Sequence, residues 1–209
     1  MKDPWEFSDE LEDRRTHLEI TGHDSYCLQT MGGKEVELAR ELNIIYKDKE
    51  ILVLPFLRIT HKSKDGVKST YQKVMLPGYV FLYISSGSDP SFIRPGGISF
   101  HFVRNVEKND YLLRGSDKNY AQWVFNSGGI IGMSKAIKAN GKVRIISGPL
   151  FNLIGNIKEY SKKNRNCRIE TTLFNRQISM WLPFEWVEEI PEESKKENET
   201  KDTKMISPQ

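Results

Sequence analysis

The sequence predicts an α+β protein in two parts. An N-terminal antiparallel sheet flanked by helices comes first; a linker then leads to a small five-stranded β-barrel. Three observations carry this reading. Val74 to Ile84, VMLPGYVFLYI, is a turn that opens into an apolar run with no polar alternation, as a strand covered on both faces reads. Between residues 25 and 84 the order is strand, helix, hairpin and then that apolar strand. Between 142 and 190 five short strand-like runs alternate with turn residues, the spacing of a small barrel.

Residues 1–24 hold three basic and eight acidic side chains and no apolar periodicity beyond Trp5, Phe7 and Leu11. They are expected to form a mobile acidic extension with room for one short helix. SYCLQT at 25–30 is a strand signal ended by Gly32-Gly33. Val36, Leu38, Ala39, Leu42, Ile45 and Tyr46 then fall on one broad helical face, with acids early and Lys47 and Lys49 late. Ile51 to Thr60 reads as a strand bent at Pro55, and KSKDGVKS at 62–69 as a hairpin turned at Asp65-Gly66. Thr70 to Met75 returns to the central run. In that run Pro77 lacks an N–H and Gly78 tolerates positive φ, so both suit the turn.

Ser88-Asp89-Pro90 can cap a short helix through Phe92-Ile93. Ile98 to Val106 reads as a strand, and Asp117 to Asn126 as an amphipathic helix. Residues 128–140, rich in glycine and lysine, are the expected linker, with Ile130, Ile131 and Met133 hinting that part of it docks. The barrel domain spans 141–190, with strands at 142–146, 155–160, 167–173, 177–182 and 186–190. The charged tail 191–209 is expected to be disordered. The N-terminal domain proper is 25–127.

With 38% apolar and 28% charged residues, the composition is that of a soluble chain. No apolar run nears the roughly 20 residues of a membrane helix, and no signal peptide is visible. Cys27 and Cys167 are isolated, which fits a reducing cytoplasm, and His17, His23, His61 and His101 stand at no metal-ligand spacing. The net charge of +3 conceals an acidic N-terminus and a barrel region, 135–190, with ten basic and five acidic side chains. A polyanionic partner fits that balance. No phosphate-binding loop, nucleophile elbow or zinc motif is present. The expectation is a binding protein rather than an enzyme, with no cofactor and no metal.

Three motifs then point to a family. SYCLQTMGGKEVELARELN resembles the opening of the NusG N-terminal domain, VMLPGYVFLYI its Phe-Pro-Gly-Tyr-Val strand with Leu76 for Phe, and NGKVRIISGPLFNLIGNIKEY the KOW motif. The likeness spans roughly 25–190. It implies a monomeric, cytoplasmic elongation factor whose N-terminal domain docks on the clamp helices of bacterial RNA polymerase. The docking patch would comprise Tyr79 and Phe81, with Leu76, Pro77 and Gly78 shaping the turn. Ser86 to Asp89 precedes the helix that contacts the opposite side of the cleft in family members, but the Thr-rich patch of the RfaH branch is missing here. The Gly-Pro-Leu turn, the preceding GGIIGMSKAI and the basic SKKNRN loop look more like the specialised LoaP branch, which drives antitermination in long operons. That branch implies a nascent leader RNA hairpin as partner, and Lys158, Lys162, Lys163, Arg165, Arg168 and Arg176 are the side chains suited to its phosphates. Tyr160 is a candidate stacking surface and equally a core residue. Val143, Ile145 and Ile146 favour β structure, so a stable barrel rather than a helical hairpin is expected. The alternatives are a general NusG whose KOW domain binds ribosomal protein or termination factor, and a ribosome-associated KOW protein.

Overall fold

A computed structural model describes residues 4–64, 67–105, 108–139, 142–151, 156–161 and 166–187. Helix α1 (Asp9–Thr21) is capped by Ser8, whose Oγ accepts the Leu11 N–H at 3.4 Å. Its buried residues are Leu11 and Leu18, two turns apart on one stripe. Strand β1 (His23–Thr30) leads to α2 (Glu35–Ile45), which buries Leu38, Ala39 and Leu42. Strands β2 (Ile51–Pro55) and β3 (Leu57–Lys64) part at Phe56, and β4 (Val67–Val74) pairs back on β3. Strand β5 (Tyr79–Ser85) is the apolar run, buried from Val80 to Ile84. A 3-10 turn at Pro90–Phe92 follows, capped by Asp89 through the Ser91 N–H; then come β6 (Phe100–Phe102) and α3 (Gly115–Asn126). The C-terminal half holds β7 (Ile130–Ile131), β8 (Ser134–Ala139), β9 (Lys142–Ser147), β10 (Asn156–Ser161), β11 (Asn166–Leu173) and β12 (Arg176–Trp186).

Among the described residues the strands form three sheets. The first, antiparallel, runs β2-β5-β1-β6, with Phe81 opposite Cys27 on one side and Leu54 on the other. Helices α1 and α2 pack on β2 and β5, and α3 on β1, which is why β5 shows no polar alternation. The second runs β4-β3-β7, with β7 parallel to β3. The third, β10-β11-β12-β8-β9, is antiparallel except for the parallel pair β12/β8. This is the expected mixed α+β class, in three sheets rather than two units of antiparallel strands.

Four expectations are corrected. The expected 1–24 extension is docked from residue 4 onward: Trp5 is 3% exposed, its indole N–H donates to the Gly128 carbonyl at 3.2 Å, and its N–H and C=O are clipped by the Gln72 amide at 2.6 and 2.7 Å. Burial of one large aromatic outweighs the solubility of the acids around it. The linker is largely strand, because β7 joins β3 and β8 joins the third sheet through buried Ser134 and Ala136. The strand expected over 98–106 is confined to Phe100–Phe102. Finally, 177–182 and 186 belong to one long strand, β12, that passes through Pro183. The Asp65-Gly66 turn, residues 188–190 and the tail 191–209 lie outside the described residues.

The third sheet leans on the first half through three polar contacts. The Asp117 carboxylate accepts the Phe174 N–H at 2.8 Å, Trp123 Nε1 donates to the Pro149 carbonyl at 2.8 Å, and Arg58 donates to the Trp181 carbonyl. Phe174 and Asn175 both take positive φ, 51° and 57°, in the tight turn between β11 and β12.

Candidate docking turn and basic side chains

The turn before β5 is held by a buried carboxylate. Glu35 is 1% exposed, and its Oε1 accepts the N–H of Gly33 at 3.0 Å and of Gly78 at 2.6 Å. Gly78 sits at φ 84°, and a Cβ there would lie 3.2 Å from the Thr30 carbonyl oxygen. The Gly78 carbonyl in turn accepts the Thr30 N–H at 2.8 Å. The N-terminus of α2, the end of β1 and the start of β5 are thus tied at one point, which requires glycine.

Beyond that knot the expected site residues separate. Leu76 is partly buried against the core, Pro77 is exposed, and Tyr79 is half-buried with its ring 5.8 Å from that of Phe174. Phe81 is wholly buried, 5.8 Å from the Tyr120 ring of α3. Its expected place on the docking surface is therefore corrected: Phe81 lies on the same side of the strand as Tyr79, but α3 covers it while the strand end projects past that cover. Tyr83 is deeper still, its hydroxyl donating to the Ala121 carbonyl at 2.7 Å, and burial pushes that phenol well up from its ordinary pKa.

The basic side chains are less united than the sequence suggests. Lys162, Lys163 and Arg165 lie outside the described residues. Lys158 stands 3.6 Å from Glu170, and Arg168 binds Glu159 at 2.9 Å and Glu170 at 3.1 Å, so acids on β10 and β11 meet both cations. Arg176 is exposed at the other end of β11, about 17 Å along the strand from Arg168 at roughly 3.3 Å per residue. Tyr160 is 40% exposed and meets Trp186 edge-on at 5.9 Å, so it is part surface and part packing. Sequence reading missed Arg58, Asp117 and Phe174, whose contacts all span the two halves of the chain; no local signal marks them.

Neither thiol is activated. Burial raises the Cys27 pKa well above its usual value and pushes Cys167 up to about 11. Among the described residues no cluster of His, Cys, Asp and Glu could hold a metal ion, and no helix is long and apolar enough to cross a membrane.

No family model matches the chain. It is 20% identical over 182 residues to the transcription termination/antitermination protein NusG of Helicobacter pylori (strain J99), covering 80% of this chain and 98% of that protein. To the NusG of Thermus thermophilus it is 23% identical over 188 residues, covering 78% and 96%. Among solved structures, one described as "Domain interaction in Thermotoga maritima NusG" overlays with a TM-score of 0.43 at 20% identity, covering 77% of this chain and 93% of that one.

Proposed function

We propose that this NusG-like chain is a non-enzymatic, monomeric, cytoplasmic elongation and antitermination factor. In this reading residues 25–127 dock on the clamp helices of bacterial RNA polymerase, and the C-terminal sheet binds a nascent leader RNA hairpin, as in the specialised LoaP branch. The observation that carries it is the turn at Leu76–Tyr79. It presents Pro77 and half-exposed Tyr79 on a frame fixed by Glu35 and Gly78, while Val80 to Ile84 of β5 are core. A rigid aromatic at the rim of an apolar surface is a suitable anchor for a partner helix. The low-identity NusG relatives support its coarser part, a transcription termination/antitermination factor.

A second reading has its own support. Because Glu159 and Glu170 partly neutralise Lys158 and Arg168, the C-terminal sheet also suits a protein partner, as in a general NusG. Binding of the full chain to a clamp-helix peptide by calorimetry tests the docking claim. Tyr79→Ala should weaken it at least tenfold in a normally folded protein. Unchanged affinity would refute docking through this turn. Electrophoretic retention of leader RNA by the native chain but not by Lys158→Gln/Arg176→Gln decides between RNA and protein at the C-terminal sheet.

A further inference from the structure

A cleft of about 440 Å³ opens between the segment 103–117 and the turn that joins β11 to β12. That volume lies within the range of small-molecule sites. Two aromatic rings, one from each half of the chain, line it. Tyr111 is 44% exposed, yet its ring is braced 5.5 Å from that of Phe102. Phe174 enters from the β11–β12 turn, its N–H held by the Asp117 carboxylate at 2.8 Å. An exposed ring held from behind is a platform for a flat partner. Arg104, Lys108 and Arg114 stand on the same lining. Arg114 is spent on the Asp110 carboxylate, which it meets at 2.5 and 2.7 Å. Arg104 and Lys108 are exposed, and among the described residues neither forms an ion pair; the Arg104 guanidinium is steadied by the neutral side-chain oxygen of Asn109. Asp117 is the acid of the lining, and its carboxylate is occupied by the Phe174 N–H and the Ser116 hydroxyl.

We infer that this cleft binds a single nucleotide unit, its phosphate on Arg104 and Lys108 and its base against Tyr111 and Phe174. Two cations without carboxylate partners match the dianion of a phosphate monoester better than the single charge of a carboxylate. The base supplies the flat face that the two rings take up by stacking. Tyr111 and Phe174 belong to different halves of the chain, so an occupied cleft ties the β11–β12 turn to the segment before α3. The site shares Phe174 with the surroundings of Tyr79. It is otherwise separate from that turn and from the basic side chains of the C-terminal sheet, and it rests on neither assignment.

The test is calorimetric titration of the full chain with AMP, GMP, CMP and UMP, then with ribose 5-phosphate and with the free nucleoside of the tightest nucleotide. At least one nucleotide should bind with a Kd below about 1 mM, and each half-molecule at least about tenfold more weakly. Arg104→Gln/Lys108→Gln should weaken the nucleotide at least about tenfold, and Tyr111→Ala at least about fivefold, the lower end of a stacking contact. Both variants are first checked for a native thermal midpoint, and Tyr111→Phe, which keeps the ring, should bind as the native chain does. Lys49→Gln/Lys73→Gln removes the same charge from exposed positions outside the cleft and should bind normally. A 5′-phosphorylated RNA five nucleotides long separates the two sources of such a unit. Affinity within about tenfold of the mononucleotide's assigns a free nucleotide, and far tighter binding lost in the same variants assigns the end of a strand. The inference is overturned by no binding up to about 10 mM, by a half-molecule that binds as tightly as the nucleotide, by native affinity in either cleft variant, or by an equal loss in Lys49→Gln/Lys73→Gln.

Discussion

Replacing Trp5 with alanine tests whether the N-terminal extension belongs to the fold. An indole this deeply buried removes about 150–250 Å² from water. At about 25 cal/mol per Å² that corresponds to about 4–6 kcal/mol, an upper bound because unfolded chains already bury part of their surface. Alanine retains a fraction of the contact, and the Gly128 carbonyl loses its donor. The Gln72 clip uses only Trp5 backbone atoms and can survive the change, so part of the strap stays docked. The expected net cost is about 3 kcal/mol, at the lower end of measured Trp→Ala losses in cores. Urea unfolding should show a lower midpoint at an unchanged m-value. Gln72→Ala combined with Trp5→Ala should cost less than the two separate losses together, because both changes release the same strap. A midpoint shift worth less than about 0.5 kcal/mol, the size of an ordinary surface substitution, would refute the docked extension and restore a mobile one.

Two other substitutions probe the turn and the contact between the halves. Glu35→Ala strips the acceptor from Gly33 and Gly78 and should cost about 2–4 kcal/mol in thermal or urea unfolding, whereas Glu35→Gln, which keeps an oxygen in place, should cost clearly less. Asp117 has its pKa raised, chiefly by burial and against the opposing pull of the Phe174 N–H and the Ser116 hydroxyl. A folded-state pKa above the unfolded one means that the folded chain binds more protons in that window, so this group's contribution falls as pH rises from about 3.8 through the raised value. Asp117→Asn should therefore flatten stability in that window while still accepting the Phe174 N–H. Urea midpoints at pH 3.5 to 7 for both proteins check it, and parallel curves would contradict the sign.

Much of the first sheet was legible because its signals are local. β5 has apolar residues at both parities, α2 has a clear apolar face, and Pro55 marks the break between β2 and β3. What escaped depends on residues distant in the chain. Trp5 finds Gln72 and Gly128, 67 and 123 positions away, and nothing around Trp5 announces them. In 128–140, Gly128, Gly129 and Gly132 outweighed the short alternation around Ser134 and Ala136, whose small side chains are buried but score weakly as apolar. The basic residues from Lys158 to Arg176 read as one cationic surface because Glu159 meets Arg168, and Glu170 meets Lys158, only when β10 and β11 pair. Tyr79 and Phe81 looked equivalent, since a strand without polar alternation does not say where its cover ends.

Under the proposed docking, that boundary would separate stability from recognition along a single strand. From Val80 to Ile84 every side chain of β5 is enclosed, so truncations there should register as lost folding free energy. At Leu76 to Tyr79 the backbone is fixed by Glu35 and Thr30 rather than by enclosure, so side-chain changes can alter affinity at small cost to the fold. Phe174 complicates the division, because the ring half-covering Tyr79 belongs to the C-terminal sheet and is held there by Asp117. A partner helix reaching for Tyr79 must displace that ring or bind beside it. Phe81→Ala and Tyr79→Ala therefore make a discriminating pair: the first should lose about 3–5 kcal/mol of stability yet bind normally once folded, and the second should keep its stability and lose its partner. If Phe81→Ala instead abolished binding in a fully folded chain, the enclosure of β5 beneath α3 would have to open on docking, and stability and recognition would no longer divide at Tyr79.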